Sequence, residues 1–272
     1  MLDPNMTKIQ FEQISDSIIT AFQPLAELHG AKLSVNKAWD DSTVNAYAEE
    51  LTPDDWQVFM FGGLARRPEV TLDGFALVVC HELGHHFGGY AFKTGFGHAW
   101  AATEGEADYF ATQACAHKIW ERELDKNAEF RKTVDPVVQK KCDQTWASTA
   151  DQNLCYRTAS ASMSLANLLS VLGDDPKTPQ FDTPDPAVVD ATYEAHPYAQ
   201  CRLDTYFSGA ICGNSFDLKI IPGKDYADGQ GSVGAEKIAA QYSCLGNSKS
   251  GLGDRPRCWF RSVQLPAPAP AH

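Results

Sequence analysis

The chain has 272 residues, 43% of them hydrophobic and 21% charged, which is enough apolar material for one large domain or two modest ones. Its 35 acidic against 23 basic residues give a formal charge of −12 with no basic block, which argues against a nucleic-acid surface, because phosphate binding needs clustered Lys and Arg. The longest nearly apolar stretch, Gly74 to Cys80, is far below the roughly 18 to 20 residues needed to cross a bilayer. The opening MLDPNMTKIQFEQ shows no basic region followed by an apolar segment, so no secretory signal is expected in it.

Apolar residues Phe11, Ile14, Ile18, Ile19, Phe22 and Leu25 recur at helical spacing and predict a helix over Phe11 to His29 that stops at Gly30. Lys32 to Trp39, Val44 to Ala48 and Trp56 to Phe61 read as short strands, the last running into the flexible pair Gly62-Gly63. A second helix follows, capped by Thr71 or Asp73, running through His86 and ending at Gly88-Gly89. A third long helix is expected from Thr103 toward Asn127, with Ala107, Phe110, Ala111, Ala114, Ile119 and Leu124 on its apolar face. Arg131 to Lys141 extends or reopens helix and is interrupted by Pro136.

Cys155 to Leu172 and Pro197 to Ile211 give two more helices, separated by a proline-rich loop that begins at Gly173 and continues to Pro186. Beyond Gly213 periodicity is weak, and the closing PAPAPAH is expected to be extended and disordered. There is no internal repeat. The resulting expectation is an α+β fold, mainly helical, with a small edge sheet. One domain would span 1–212, with an irregular cysteine-linked extension packed on it over 213–262 and a tail over 263–272.

The eight cysteines form no CxxC pair, so neither a structural zinc ribbon nor a thioredoxin-type centre is indicated. Cys142/Cys155, Cys201/Cys212 and Cys244/Cys258 are local pairs whose short loops close easily. Cys80 is read as core packing or as the partner of Cys115, although sequence alone does not fix connectivity. Disulfides imply an oxidising compartment, periplasmic or secreted, whereas free thiols would allow a cytoplasmic one.

The most informative segment is His81-Glu82-Leu83-Gly84-His85. Residues four apart share one helix face, so both imidazoles can reach one Zn2+ while Glu82 is held beside the metal-bound water as general base. A catalytic zinc takes a third protein ligand, and Glu104 in Thr103-Glu104-Gly105-Glu106-Ala107-Asp108 supplies a carboxylate. Asp108, one turn on, can accept a hydrogen bond from the far nitrogen of a ligating histidine. Glu106 points elsewhere on the helix. His86 leaves the ligand face as a packed or solvated residue, and His98 and Trp100 are candidates for lining the cleft.

These residues resemble the gluzincin metallopeptidases, and within them the prenyl-protein-protease and heat-shock-membrane-protease branch, marked by HExxH and a later ExxxD. The resemblance implies a zincin-like fold, with zinc held by His81, His85 and Glu104, Glu82 as base and Asp108 in support. The branch also carries a downstream HP followed by Arg and an aliphatic residue, and this chain has His196-Pro197-Tyr198-Ala199-Gln200-Cys201-Arg202-Leu203. By that likeness His196 and Arg202 enter the active site and stabilise the oxyanion. The reading from the residues alone leaves His196 as a cap and Arg202 as a salt-bridge partner or as the group that orients Glu104 or the substrate.

Asn45-Ala46-Tyr47-Ala48 and Gly62-Gly63-Leu64 match further segments of the branch, and the strand ending in GGL is expected to pair with an extended substrate. Relatives are often membrane-embedded and this chain has no span, so the expected substrate is an ordinary peptide or protein. A zinc amidase acting on cell-wall peptides, and a zinc-stabilised binding protein without turnover, are the alternatives.

Overall fold

The computed structural model describes residues 6–94, 100–173, 177–226, 232–245 and 251–264. The first helix, α1 (Lys8–Leu28), starts on a reciprocal cap in which Thr7 and Gln10 satisfy each other's backbone N–H, and it buries Phe11, Ile18, Ile19 and Phe22. Three strands follow, β1 (Lys32–Ala38), β2 (Ala46–Thr52) and β3 (Asp55–Phe61). Their order is β1-β3-β2, with β1 parallel and β2 antiparallel to β3. Alternation along β3 sends Trp56, Val58 and Met60 into the core.

That order corrects one expectation. The strand ending in Gly62-Gly63-Leu64 is central, with both its edges already paired, so it cannot accept a further chain. The edge next to the histidines belongs to β2, which carries Ala46-Tyr47-Ala48. Gly62-Gly63 is not a flexible hinge either. It opens a short helix, α2 (Gly62–Ala65), where a Cβ on Gly62 would lie 1.8 Å from the Trp39 carbonyl oxygen and one on Gly63 2.1 Å from that of Ser42.

The centre of the molecule is α3 (Leu72–Phe87), buried at every position from Gly74 to Phe87, its apolar first half packed in the core and its second half carrying His81, Glu82, His85 and His86 inward. Thr71 is its cap, accepting from the Gly74 N–H at 2.9 Å, while Asp73 pairs with the Arg157 guanidinium at 2.8 Å. Around α3 pack α1, the sheet, α8 (Thr149–Gly173) and the helical path that begins with α4 (Glu104–Phe110).

That path continues through a π-helical stretch, Ala111–Cys115, into α5 (Ala116–Trp120). It stops there, short of the expected Asn127, and α6 (Leu124–Glu129) is a separate piece. Pro136 does not interrupt a helix but begins one. In α7 (Pro136–Thr145) Asp135 caps and the proline takes the first turn, where its missing N–H costs nothing. Next, α9 (Ala199–Ala210) packs on α8 and α4. Past it the described residues are irregular except for a 3-10 turn, Lys224–Tyr226, and α10 (Val233–Ala239).

Four disulfides fasten this arrangement. Cys80–Cys115 and Cys142–Cys155 are the expected pairs, but the remaining four residues join as Cys201–Cys258 and Cys212–Cys244. The reason is helical rise. Cys201 and Cys212 sit near opposite ends of α9, so eleven residues at about 1.5 Å each separate them by roughly 16 Å, whereas a disulfide needs Cα atoms within about 7 Å. The crossed pairs instead bind the C-terminal segment to α9 and its end. Cys258, Trp259 and Phe260 join the same hydrophobic core as Phe11 and Phe22. Val263 and Gln264 are held by Glu236, and residues 265–272 of the predicted tail lie outside the described residues. Among the described residues no helix is long and apolar enough to cross a membrane.

Candidate metal centre

Residues 81 and 85 are one turn apart on α3, so their rings point to the same side, with centroids 4.9 Å apart. The third group arrives from α4, whose first residue is Glu104 and whose cap is Thr103. Close helix packing allows the meeting. A Cβ on Gly84 would come within 2.7 Å of the Ala107 Cα and carbonyl oxygen, so only glycine lets α3 and α4 touch at this level. The turn before α4 is pinned as well, because the Ala102 N–H donates to the His85 carbonyl at 2.9 Å.

The ligand atoms of His81, His85 and Glu104 all lie within 4.8 Å of one another. His81 Nε2 is 3.2 Å from Glu104 Oε2, and His85 Nε2 is 3.7 Å from Glu104 Oε1. The far ring nitrogens fix the tautomers. His81 Nδ1 is 2.7 Å from Asp108 Oδ1, and His85 Nδ1 is 2.9 Å from the Ala102 carbonyl oxygen. Each Nδ1–H therefore donates backward, so both Nε2 atoms face the Glu104 carboxylate, that of His81 becoming a free ligand once its second proton is lost. Glu104 Oε2 is buried and receives no well-aligned hydrogen bond. Two imidazole nitrogens and a carboxylate oxygen gathered this closely form a donor set that could hold a metal ion with three protein ligands. Among the described residues one other trio has suitable spacing, Asp185, Cys201 and Cys258, but its two sulfurs are joined in a disulfide.

Glu82 is buried beside the two histidines, with Oε2 4.0 Å from His85 Nε2. Burial raises its pKa to about 7, and the Glu104 charge adds to that against the pull of His81. Burial works the other way on His81, but the Asp108 carboxylate outweighs it and lifts the imidazole to about 9. At His85 burial outweighs the nearby Glu104 charge and drops the imidazole to about 3. The Glu104 carboxyl is held well below its ordinary value in spite of burial, through His85, His196 and His81.

The other expected residues separate by role. His196 reaches the centre with Nε2 3.1 Å from Glu104 Oε2, while its side chain stays 67% exposed. Arg202 is buried, and its Nε and Nη2 donate to the two Asp108 oxygens at 2.7 and 2.6 Å. Nη2 also lies 3.4 Å from His81 Nδ1, so this guanidinium stands behind the ligand as the salt-bridge partner of Asp108. Glu106 turns away and pairs with Arg255 at 2.7 Å. His86 is buried off the site, stacked on Trp56 with ring centroids 5.1 Å apart. Trp100 lines the cleft, and His98 lies outside the described residues.

One residue was missed. Lys93 Nζ donates to Glu104 Oε1 at 2.7 Å. It gets there because Ala91–Lys93 runs antiparallel beside Ala101–Thr103, with the Lys93 N–H donating to the Ala101 carbonyl and the Thr103 N–H to that of Ala91. No local pattern marks it, since a lysine eleven residues before a ligand becomes its neighbour only through that pairing. The Thr94 backbone N–H and hydroxyl both donate to Glu194, linking the Lys93 segment to the one that bears His196.

Above the centre lies a cleft of about 560 Å³, walled on one side by β2 from Ala46 to Glu50 and floored by His81, Glu82, His85 and Glu104. No family model, no curated protein and no solved structure matches this chain.

Proposed function

We propose that the protein is a zincin-like, zinc-dependent endopeptidase that cleaves peptides or proteins in an oxidising compartment, periplasmic or secreted. The observation that carries this reading is the gathering of two Nε2 atoms and the Glu104 carboxylate within 4.8 Å of one another, with the buried Glu82 carboxyl beside them. A purely structural zinc would use a fourth protein ligand and would have no use for Glu82. The four disulfides support the compartment.

His81, His85 and Glu104 would hold the zinc. When bound, it supplies Lewis acidity and lowers the pKa of water toward neutrality. A substrate strand lies against the outer edge of β2, held by main-chain hydrogen bonds that do not depend on its side chains. Glu82 takes the proton of the attacking water and delivers it to the departing nitrogen. Burial beside the histidines raises its pKa in the metal-free site, which makes it a better base than an exposed glutamate. His196, exposed and swung over Glu104, donates to the oxygen on which negative charge develops. Arg202 does not touch substrate. With Asp108 it fixes the tautomer and orientation of His81.

Metal analysis combined with digestion of an unbiased peptide mixture by wild type and Glu82→Gln tests the assignment. Zinc retained by both proteins, with products from the wild type only, is the expected result. Equal peptide release by both removes Glu82 from the mechanism. A wild type that binds zinc but releases nothing leaves a metal-stabilised binding protein, and one that cleaves only cell-wall peptides at amide bonds points to an amidase.

A further inference from the structure

Each oxygen of Glu104 has a basic side chain against it, His196 Nε2 at 3.1 Å from Oε2 and Lys93 Nζ at 2.7 Å from Oε1. The two differ in their surroundings. The His196 side chain is largely exposed, whereas that of Lys93 is 24% exposed and is the one Lys or Arg among the described residues lining the cleft. The Glu104 side chain is only 4% exposed, so bulk water does little for its charge and it needs a partner inside the protein. In the metal-free molecule the Lys93 ammonium is that partner.

The backbone around Lys93 is held on both sides. Its own N–H donates to the Ala101 carbonyl at 2.7 Å, Phe92 bridges Ala102, and the Thr94 N–H and hydroxyl donate to the Glu194 carboxylate at 2.9 and 2.8 Å. The opposite strand of this pairing leads straight to the ligands. The Ala102 N–H donates to the His85 carbonyl, the Ala102 carbonyl oxygen lies 2.9 Å from His85 Nδ1, Thr103 caps α4, and Glu104 comes next. Lys93 and Glu104 are therefore mounted on one paired segment, and the cation beside this carboxylate is built into the site.

A zinc ion at the centre draws on the same carboxylate. Building on the zinc reading of this site, we propose that Lys93 is a positioning residue that keeps Glu104 beside His81 and His85 while the metal is absent, and that it competes with the metal for that carboxylate and so lowers the affinity of the centre. Two effects lead to this. In the empty site the ammonium offsets a buried negative charge, and removing it leaves that charge unpaired in the interior. In the loaded site a doubly charged ion does the offsetting, and a further cation nearby is repelled by it. Lys93 thus stabilises the empty state more than the loaded one, and a contact that favours the empty state weakens metal binding by the same factor. The sign does not depend on where the ammonium goes once the metal is bound. A lysine that only oriented Glu104 as a ligand would have the opposite effect, since its loss would weaken binding. The consequence is a centre that is assembled before metal arrives and that fills at a higher zinc concentration than its ligands alone would require.

The test uses the full disulfide-bonded chain stripped of metal, with zinc affinity read by competition with a chromophoric chelator at one fixed pH and stability read by thermal unfolding, neither of which needs turnover. Lys93→Met keeps an unbranched apolar stem and removes the charge. It should lower the melting temperature of the metal-free protein, leave that of the zinc-saturated protein close to wild type, and tighten zinc binding about tenfold or more, as expected for two cations that share one counterion at a partly buried site. Lys93→Arg keeps the charge and should bind zinc as the wild type does. Zinc bound by Lys93→Met but not by wild type is the same result in its extreme form. Weaker binding by Lys93→Met overturns the proposal and makes Lys93 an aid to the ligand; affinity within about twofold of wild type overturns it and makes Lys93 a bystander. Either result, with peptides still released by the wild type, removes this role alone and leaves the peptidase standing. Tighter binding by Lys93→Met without peptide release from any of the proteins keeps the role of Lys93 and ends the peptidase reading. No zinc bound by any of the three proteins removes the metal centre and this role together.

Discussion

Replacing Asp108 by Asn keeps the shape of the side chain and removes only its charge and one acceptor. The carboxylate is fully buried and accepts three short bonds, from His81 Nδ1 at 2.7 Å and from Arg202 Nη2 and Nε at 2.6 and 2.7 Å. The amide NH2 must then face one of these donors, and the Arg202 charge is left in the interior with no counterion. Breaking a buried pair from one side costs about 3 to 5 kcal/mol, and the oxygen that Asn retains places the expected loss at about 3 kcal/mol for the metal-free protein. His81 loses the partner that fixes its tautomer, so zinc affinity should fall about 10- to 100-fold. Urea unfolding followed by tryptophan fluorescence reads the first quantity, and chelator competition reads the second. Arg202→Met in the Asp108→Asn background removes the stranded cation, so the double variant should be more stable than the sum of the two single losses predicts. Unfolding within 1 kcal/mol of wild type together with zinc affinity within threefold would refute the assigned roles of Asp108 and Arg202.

Gly84→Ala should lower both thermal stability and zinc affinity, although the same change in an open helix gains about 1 kcal/mol. The new methyl meets Ala107 backbone at 2.7 Å and forces α3 from α4, an overpacking cost of about 1 to 3 kcal/mol. In the metal-free protein His81 keeps its proton up to about pH 9, while His85, at about 3, has already lost its own. Zinc must displace the His81 proton below that pH, so affinity should rise about tenfold per pH unit and level off near pH 9. Calorimetry in two buffers of different ionisation heat should count one proton released at pH 7, and a count of none contradicts the assignment. Replacing Cys80 and Cys115 together by Ser reopens a loop of sequence separation 35 and should cost about 4 kcal/mol, measured by urea unfolding under oxidising conditions.

The parts of the centre legible in the sequence are those that depend on local geometry. The four-residue step from His81 to His85 is a property of any helix, and α3 and α4 start where expected, at Thr71, one of two candidate caps, and at Thr103. Glu104 and Asp108 were legible as a second local pattern, again one turn apart. What escaped depends on contacts between distant segments. Lys93 reaches Glu104 through a short backbone pairing that no periodicity marks. Arg202 carries a charge that suits an oxyanion as well as a carboxylate, and its choice of Asp108 follows from how α9 packs on α4. The exchanged partners of Cys201 and Cys212 follow from the straightness of α9, which closeness in sequence conceals. In the sheet the strands were recognisable, but their order decides which edge is free, and order is not written in any one strand.

The central claim is that one zinc ion binds where α3 and α4 meet. Crystals of the protein loaded with one equivalent of zinc, measured on both sides of the zinc absorption edge, test it directly. The account predicts a single anomalous peak about 2.0 to 2.2 Å from His81 Nε2, His85 Nε2 and a Glu104 oxygen. A peak bounded by other residues, or no peak at that point in fully loaded protein, would contradict it.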